Sequence, residues 1–218
     1  MKKFLLVIAV IFCFAGSAPG ASKEELQRLS TFMSSFTEAG LFNFDIRSEF
    51  DEGENYRADG NNLHLGMPEN ADELIRFGIV NNLNHNNTRI KKCRDPRCES
   101  GALTIEKRFV ADTVRRFFGL LLTDKDFDSI SDNPSVAFAY DGELFHFDAD
   151  SFKEPGLNTV YYAEVLDVDV GRYISLAGEI YNSQRPSLRP GTFSAFVRRG
   201  GGGWQIISMS TRWKERTR

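Results

Sequence analysis

Apolar positions along this chain recur with two periods, and the switch between them falls near the middle. Leu26, Leu29, Phe32, Met33 and Phe36 return at three- and four-residue spacing, which predicts a helix with one buried face. Ser22 with Glu25 three residues later supplies a capping box, and Gly40 ends the run. From Leu41 to Phe50 the period becomes two, with Phe42, Phe44, Ile46 and Phe50 alternating against Asn43, Asp45, Arg47 and Glu49; this predicts a half-buried strand. Residues 51–69 are polar and aperiodic, a surface loop with His64 solvated inside it. A second helix begins at Asn70, where Glu73 completes a cap, and carries Leu74, Ile75, Phe77, Ile79, Val80 and Leu83. After a short extended piece at Leu103–Ile105, a third helix places Phe109, Val110, Val114, Phe117 and Phe118 on one face and stops at Gly119.

Beyond that glycine the period is two. Ser135–Phe147 predicts a hairpin about a type I′ turn at Asp141-Gly142. Val160–Val170 and Tyr173–Tyr181 predict two strands joined around Gly171, and Gly191–Arg198 with Trp204–Thr211 a last hairpin whose loop is Gly200–Gly203. Helices first and antiparallel strands second make an α+β fold, with N-terminal helices packed on one face of a curved antiparallel sheet. No repeat, low-complexity block or linker interrupts it.

The first twenty residues belong to none of these elements. Lys2-Lys3, an apolar run from Phe4 to Ala15 and the small-residue stretch Gly16–Gly20 are the three parts of a secretory signal peptide. The run is shorter than the ~20 apolar residues a bilayer span needs. Cleavage after Gly20 starts the mature chain near Ala21, in the periplasm or outside the cell, with no stable membrane anchor. Lipid attachment at Cys13 is the alternative, and bulky Phe12 before it argues against that. The expected organisation is therefore a signal peptide over 1–20 and a single domain over 21–218. Within it, residues 21–69 form an N-terminal helix, strand and loop, and 70–211 the core. The formal net charge of −3 becomes more negative when Lys2 and Lys3 leave. No phosphate-binding footprint appears, and the basic tail of Arg212, Lys214, Arg216 and Arg218 is a solvated terminus, so nucleic acid is not an expected partner.

Two cysteines remain in the mature chain, Cys93 and Cys98, around the turn residues Asp95-Pro96. An even count in an exported protein points to a disulfide. A redox-active pair usually has two intervening residues at a helix start, not four in a charged loop, and a zinc site using His85 would count only three ligands.

The last hairpin, Thr192-Phe193-Ser194-Ala195-Phe196-Val197 and Trp204-Gln205-Ile206-Ile207-Ser208-Met209-Ser210, resembles the closing hairpin of the nuclear-transport-factor-like (cystatin-like α+β cone) superfamily. The resemblance covers residues 70–211. It implies a conical half-barrel with a pocket at its open end, and pairing into a homodimer through the sheet, but no single function: members include enzymes, carriers and interaction modules.

Strand phase selects the candidate chemistry. His146 and Asp148 share a face, as do Tyr162 and Glu164; if the four converge they form an acid–base set. The same alternation of polar and aromatic residues is what any strand with one wet face shows. Asp124, Asp126 and Asp128 resemble a calcium loop, but Ser129 stands where that loop needs glycine and Ser135 where it needs glutamate; an acidic solvated loop is the alternative. Ser30, Ser34 and Ser35 lie on the first helix without a histidine nearby, and no Gly-x-Ser-x-Gly elbow occurs. The resulting expectation is a non-catalytic, exported module without a cofactor, binding a small apolar or amphipathic ligand or an envelope protein partner. A small isomerase- or cyclase-like enzyme using His146, Asp148, Tyr162 and Glu164 is the alternative.

Overall fold

Ser22 opens the first helix as its spacing predicts: its hydroxyl accepts the Glu25 N–H at 3.1 Å, and α1 runs Lys23–Glu38. The computed structural model describes residues 21–46, 63–64, 71–96, 98–99, 101–131, 137–152, 160–170, 173–200 and 202–214. The signal peptide assigned to 1–20, most of the 51–69 loop, Asn70, Ser135, Gly171 and Gly201 lie outside them. Three further helices follow: α2 (Ala71–His85), α3 (Lys107–Phe118) and α4 (Asp124–Ser131). Gly119 ends α3 in the left-handed conformation at φ 74°, its N–H donating to the Arg115 carbonyl.

The strands form two sheets. The larger contains β1 (Phe44–Asp45), β2 (Leu63–His64), β7 (Tyr161–Val170), β8 (Ile174–Asn182), β9 (Gly191–Gly200) and β10 (Gly203–Trp213), in the order β2-β1-β10-β9-β8-β7. The smaller contains β3 (Lys91–Lys92), β4 (Leu103–Glu106), β5 (Phe138–Tyr140) and β6 (Leu144–Phe147), in the order β3-β4-β6-β5. All described pairs are antiparallel except β1 with β2.

The fold is α+β, with the N-terminal helices packed on the larger sheet as expected, and a second, smaller sheet lies on the other side of α2 and α3. Leu74, Phe77 and Val80 of α2 join Val114, Phe117 and Phe118 of α3 in the core under the larger sheet. Ile75, Ile79 and Val110, from the same two helices, join Ile105, Phe138, Phe145 and Phe147 in a second core under the smaller sheet. The pair α2/α3 is therefore a layer between two sheets. The reason is written in α2, whose apolar residues ring the helix instead of forming one stripe, so both sides must be covered. At the contact between the helices a Cβ on Gly78 would stand 2.7 Å from Val110 Cγ1 and 3.1 Å from the Val110 carbonyl, so only glycine permits this approach.

Phenylalanine fills the space beneath the larger sheet. The Phe36 ring lies 5.2–5.8 Å from those of Phe32, Phe44, Phe77, Phe117 and Phe118, within the range where aromatic pairs attract beyond their area burial. Much of the chain's phenylalanine surrounds other phenylalanine.

Helix α1 also closes a sheet edge. Strand β7 is the last strand of the larger sheet, and such an edge carries unpaired N–H and C=O groups. Ser30 Oγ accepts the Val165 N–H at 2.9 Å, and Ser34 Oγ accepts the Ala163 N–H at 3.0 Å. Ser34 also donates to the Ala163 carbonyl at 3.2 Å, and Thr37 to the Tyr161 carbonyl at 2.7 Å. Four residues of helix advance about 6 Å and two residues of strand about 6.7 Å, so hydroxyls one helical turn apart meet alternate residues of the strand.

Two expectations near the start of the chain change. The strand expected over 41–50 pairs only at Phe44–Asp45 among the described residues, and Asp45, assigned to the wet face, is 2% exposed. Leu63–His64, expected within a loop, pairs with β1.

Candidate functional site

The smaller sheet has one apolar and one polar face, because alternate residues point to opposite sides. Ile105, Phe145 and Phe147 point into the second core, while Thr104 and His146 stand opposite each other on the outer face. Lys91 is paired with Thr104, so it shares that face, and Cys93 follows two residues later. The described residues between Cys93 and Ala102 then fold over as a loop, held by hydrogen bonds from the Cys93 N–H to the Ala102 carbonyl and from the Cys98 N–H to the Asp95 carbonyl. The expected disulfide joins Cys93 and Cys98 across this loop.

His146 lies against the bridge. Its Nδ1 is 3.4 Å from Cys93 Sγ and 3.3 Å from Cys98 Sγ, and its Nε2 is 2.8 Å from Asp141 Oδ2. A carboxylate only accepts hydrogen bonds, so Nε2 carries the hydrogen of that contact and Nδ1 faces the sulfurs. Asp141 is fixed in turn: its Oδ1 accepts the N–H groups of Glu143 and Leu144 at 3.0 and 2.7 Å. Burial pushes the Asp141 carboxyl upward, but the Leu144 N–H, the His146 ring and the Glu143 N–H outweigh it and hold the group below its ordinary value.

This geometry corrects the expected type I′ turn. Tyr140 pairs with Phe145 and the Asp141 N–H donates to the Leu144 carbonyl at 3.2 Å, so the bend falls at Gly142-Glu143, one residue later than expected, and only Gly142 within it has positive φ, at 102°. The Asp141 side chain, not its carbonyl, accepts the Leu144 N–H across this bend. Assigning Asp141 to the turn hides it as the partner of His146. The signal in the sequence is an aspartate five residues before a histidine, across a bend that brings them together.

A cleft of about 740 Å³ opens here, lined by the cations Lys91, Lys92 and Arg94, the carboxylates Asp95 and Asp141, and Cys93, Leu144 and His146. Cys93 and Cys98 are half-buried. Cys93, Cys98 and His146 are also the one group of three potential metal donors close together among the described residues, but sulfurs bonded to each other have no thiolate to offer a metal.

The other expected residues fall elsewhere. Asp148 is exposed, and its Oδ1 accepts the Asp150 N–H in the short 3-10 turn after β6. Tyr162 and Glu164 lie on β7, in the other sheet, so the four candidates do not form one acid–base set. Glu164 sits directly opposite Glu179, and Arg189 bridges the two carboxylates, with Nη2 2.6 Å from Glu164 Oε2 and Nε 3.4 Å from Glu179 Oε2. Burial raises the Tyr162 phenol above its ordinary pKa, and nearby Glu38 and Tyr181 add to the effect. The outer face of the larger sheet also carries Ala177, Thr192, Ser194 and Phe196 as exposed positions, a mostly polar surface.

The aspartates weighed as a calcium loop and the histidine weighed for zinc are held in other contacts. Asp124, Asp126 and Asp128 lie on α4, where alternate residues point to different sides of a helix. Asp126 instead accepts the N–H and hydroxyl of Thr123 at 2.6 and 2.8 Å, and Asp124 pairs with Lys107 at 2.9 Å. His85 Nε2 lies 2.7 Å from Glu38 Oε2 on the α1 side of the molecule, and His146 is the histidine beside the cysteines.

No described helix is long and apolar enough to cross a membrane. Compared with protein-family models, with curated proteins and with solved structures, the chain finds no match in any of the three.

Proposed function

We propose that this is an exported binding module, periplasmic or secreted, that takes the anionic head of a small amphipathic molecule into the cleft on the outer face of the smaller sheet. The observation that carries this reading is the cleft's lining: three cations, Lys91, Lys92 and Arg94, outnumber the carboxylates Asp95 and Asp141 and stand with the apolar Leu144. Its volume falls in the ~300–1,000 Å³ range of small-molecule sites. The space beneath the larger sheet, by contrast, is packed with aromatic rings. Export is supported by the leader-like residues 1–20 and by a disulfide, which persists in oxidising compartments. The cone-domain resemblance belongs to the same proposal, supported by the β9–β10 hairpin and the helices beneath it.

The test is titration calorimetry with dodecyl phosphate and, as its charge opposite, dodecyltrimethylammonium, both below their micelle concentrations. The anion is expected to bind and the cation not, and the double variant Lys92→Glu/Arg94→Glu to weaken the anion at least tenfold, since about 1.4 kcal/mol is tenfold in affinity. Equal binding of the two probes, or an anion affinity untouched by charge reversal, refutes the reading.

A further inference from the structure

A base held against a disulfide finds no proton on the bonded sulfurs themselves; it can serve only the thiols that exchange with them. Asp141 fixes His146 so that Nδ1 faces both sulfurs at 3.3–3.4 Å, and Asp141 is itself tied to two backbone N–H groups. A purely structural bridge gains little from such an arrangement, because bonded sulfurs are weak acceptors and have no hydrogen to donate. A cysteine pair undergoing exchange gains a great deal. The thiolate is the reactive species, and a neighbouring imidazolium stabilises it.

We propose that Cys93–Cys98 is an exchange-active disulfide, with dithiols as its substrate class and His146 as the group that moves the proton. An incoming thiol gives its proton to His146 Nδ1 while its sulfur attacks Cys93 Sγ, the sulfur that lines the cleft. The S–S bond breaks and its electron pair leaves on Cys98 Sγ, 3.3 Å from the same nitrogen, which returns the proton or holds the thiolate as an ion pair. The substrate's second thiol then attacks its own sulfur in the mixed disulfide, and its proton passes to the Cys93 sulfur that leaves. The substrate ends as a disulfide, the protein as a dithiol, and two electrons and two protons have been transferred. Asp141 is a positioning residue in this scheme. The charged and titratable groups of the cleft are Lys91, Lys92, Arg94, Asp95, Asp141 and His146, and its three cations, which outnumber the two carboxylates, favour a thiolate. The inference stands on the sulfur–imidazole geometry and goes beyond the anionic-ligand reading; a neutral probe separates the two.

The test uses the protein with Cys13→Ser, so that Cys93 and Cys98 are its only thiols. Reduction by dithiothreitol is followed by acid quench, alkylation and mass spectrometry from pH 5 to 8, with chelator present. His146→Gln is expected to slow reduction at pH 7 at least tenfold, the lower end of what a positioned acid–base group contributes being ~10²-fold. Asp141→Asn, which keeps an oxygen for the Glu143 and Leu144 N–H groups, is expected to slow it by a smaller factor, and Asp148→Asn to leave it unchanged. In the reduced protein, thiolate absorbance at 240 nm is expected to titrate below pH 7, and to return toward the ~8.5 of a free cysteine in His146→Gln. A reduced two-cysteine peptide, run beside dithiothreitol, separates protein dithiols from small ones by relative rate. A wild-type thiolate titrating near 8.5, or a reduction rate that His146→Gln leaves within threefold, overturns the proposal. Unchanged far-ultraviolet circular dichroism in each variant excludes misfolding as the cause.

Discussion

Replacing Ser34 by alanine tests whether α1 holds the edge of the larger sheet by hydrogen bonds or merely rests on it. The substitution deletes one oxygen from a side chain that is 8% exposed, opposite Ala163, which is 2% exposed. That oxygen both accepts the Ala163 N–H at 3.0 Å and donates to the Ala163 carbonyl at 3.2 Å. Neither group has room to take water instead, so the loss includes the desolvation penalty of an unpartnered N–H, about 1–3 kcal/mol, with a smaller addition from the carbonyl. The expected destabilisation is about 2–3 kcal/mol. At ~2–4 °C per kcal/mol for a chain of this size, Tm falls by roughly 4–12 °C. Urea unfolding followed by circular dichroism measures it against Thr31→Ala, whose exposed hydroxyl bonds only the Gln27 carbonyl of its own helix and should change stability by less than about 0.5 kcal/mol. Amide exchange at Ala163 should quicken in Ser34→Ala more than exchange at Leu176, one strand further in. If Ser34→Ala costs no more than Thr31→Ala, the hydroxyls are incidental and packing alone holds the helix.

Two other substitutions probe the helix contact and the histidine's partner. Gly78→Ala should destabilise by about 1–3 kcal/mol in urea unfolding, because the added carbon meets Val110 at 2.7 Å and overpacking outweighs the ~1 kcal/mol that alanine gains over glycine in a helix; a neutral or stabilising result would mean that α2 and α3 can move apart freely. Asp141 has a folded-state pKa below its ordinary 3.8, so its contribution to stability is present above about pH 4 and is lost as the pH falls through the lower folded value. The urea midpoint should therefore drop less between pH 6 and pH 3 in Asp141→Asn than in the wild type, and equal drops would contradict the assignment.

Much of the fold is legible in the sequence because local chemistry and tertiary packing agree. The Ser22 cap, the Gly119 stop and the hairpin β9–β10 each follow from residues within a few positions of one another. The second sheet is harder to see, although its signal is present: Ile75 and Ile79 sit off the stripe of Leu74, Phe77 and Val80, and a helix greasy on two sides needs two neighbours. Within the site, the Cys93–Cys98 pairing and the outward phase of His146 can be read locally. Asp141 is masked, because an aspartate before glycine carries a strong turn preference that accounts for it without calling on its spacing from His146. The hydroxyls of Ser30, Ser34 and Thr37 are invisible for a different reason. Their partners lie 124–135 residues away, and a backbone edge leaves no mark in the side-chain pattern. The aspartates of α4 mislead because alternation along a sequence implies a shared face in a strand or loop but not on a helix.

The two-sided helical layer bears on how the molecule comes apart. Without the smaller sheet, α2 and α3 would still keep Leu74, Phe77, Val114 and Phe118 buried against the larger one. Without that layer, the smaller sheet has strands of only two to four residues and no comparable support, since short sheets need a packed face to persist. The dependence runs one way. The smaller sheet is thus the unit expected to open first in native-state exchange, before the rest of the chain unfolds. The Cys93–Cys98 bond lies at its margin, against β6, a covalent tie where cooperative support is thinnest. Breaking that bond would lower the cost of opening there and leave Phe36 and the rings around it undisturbed.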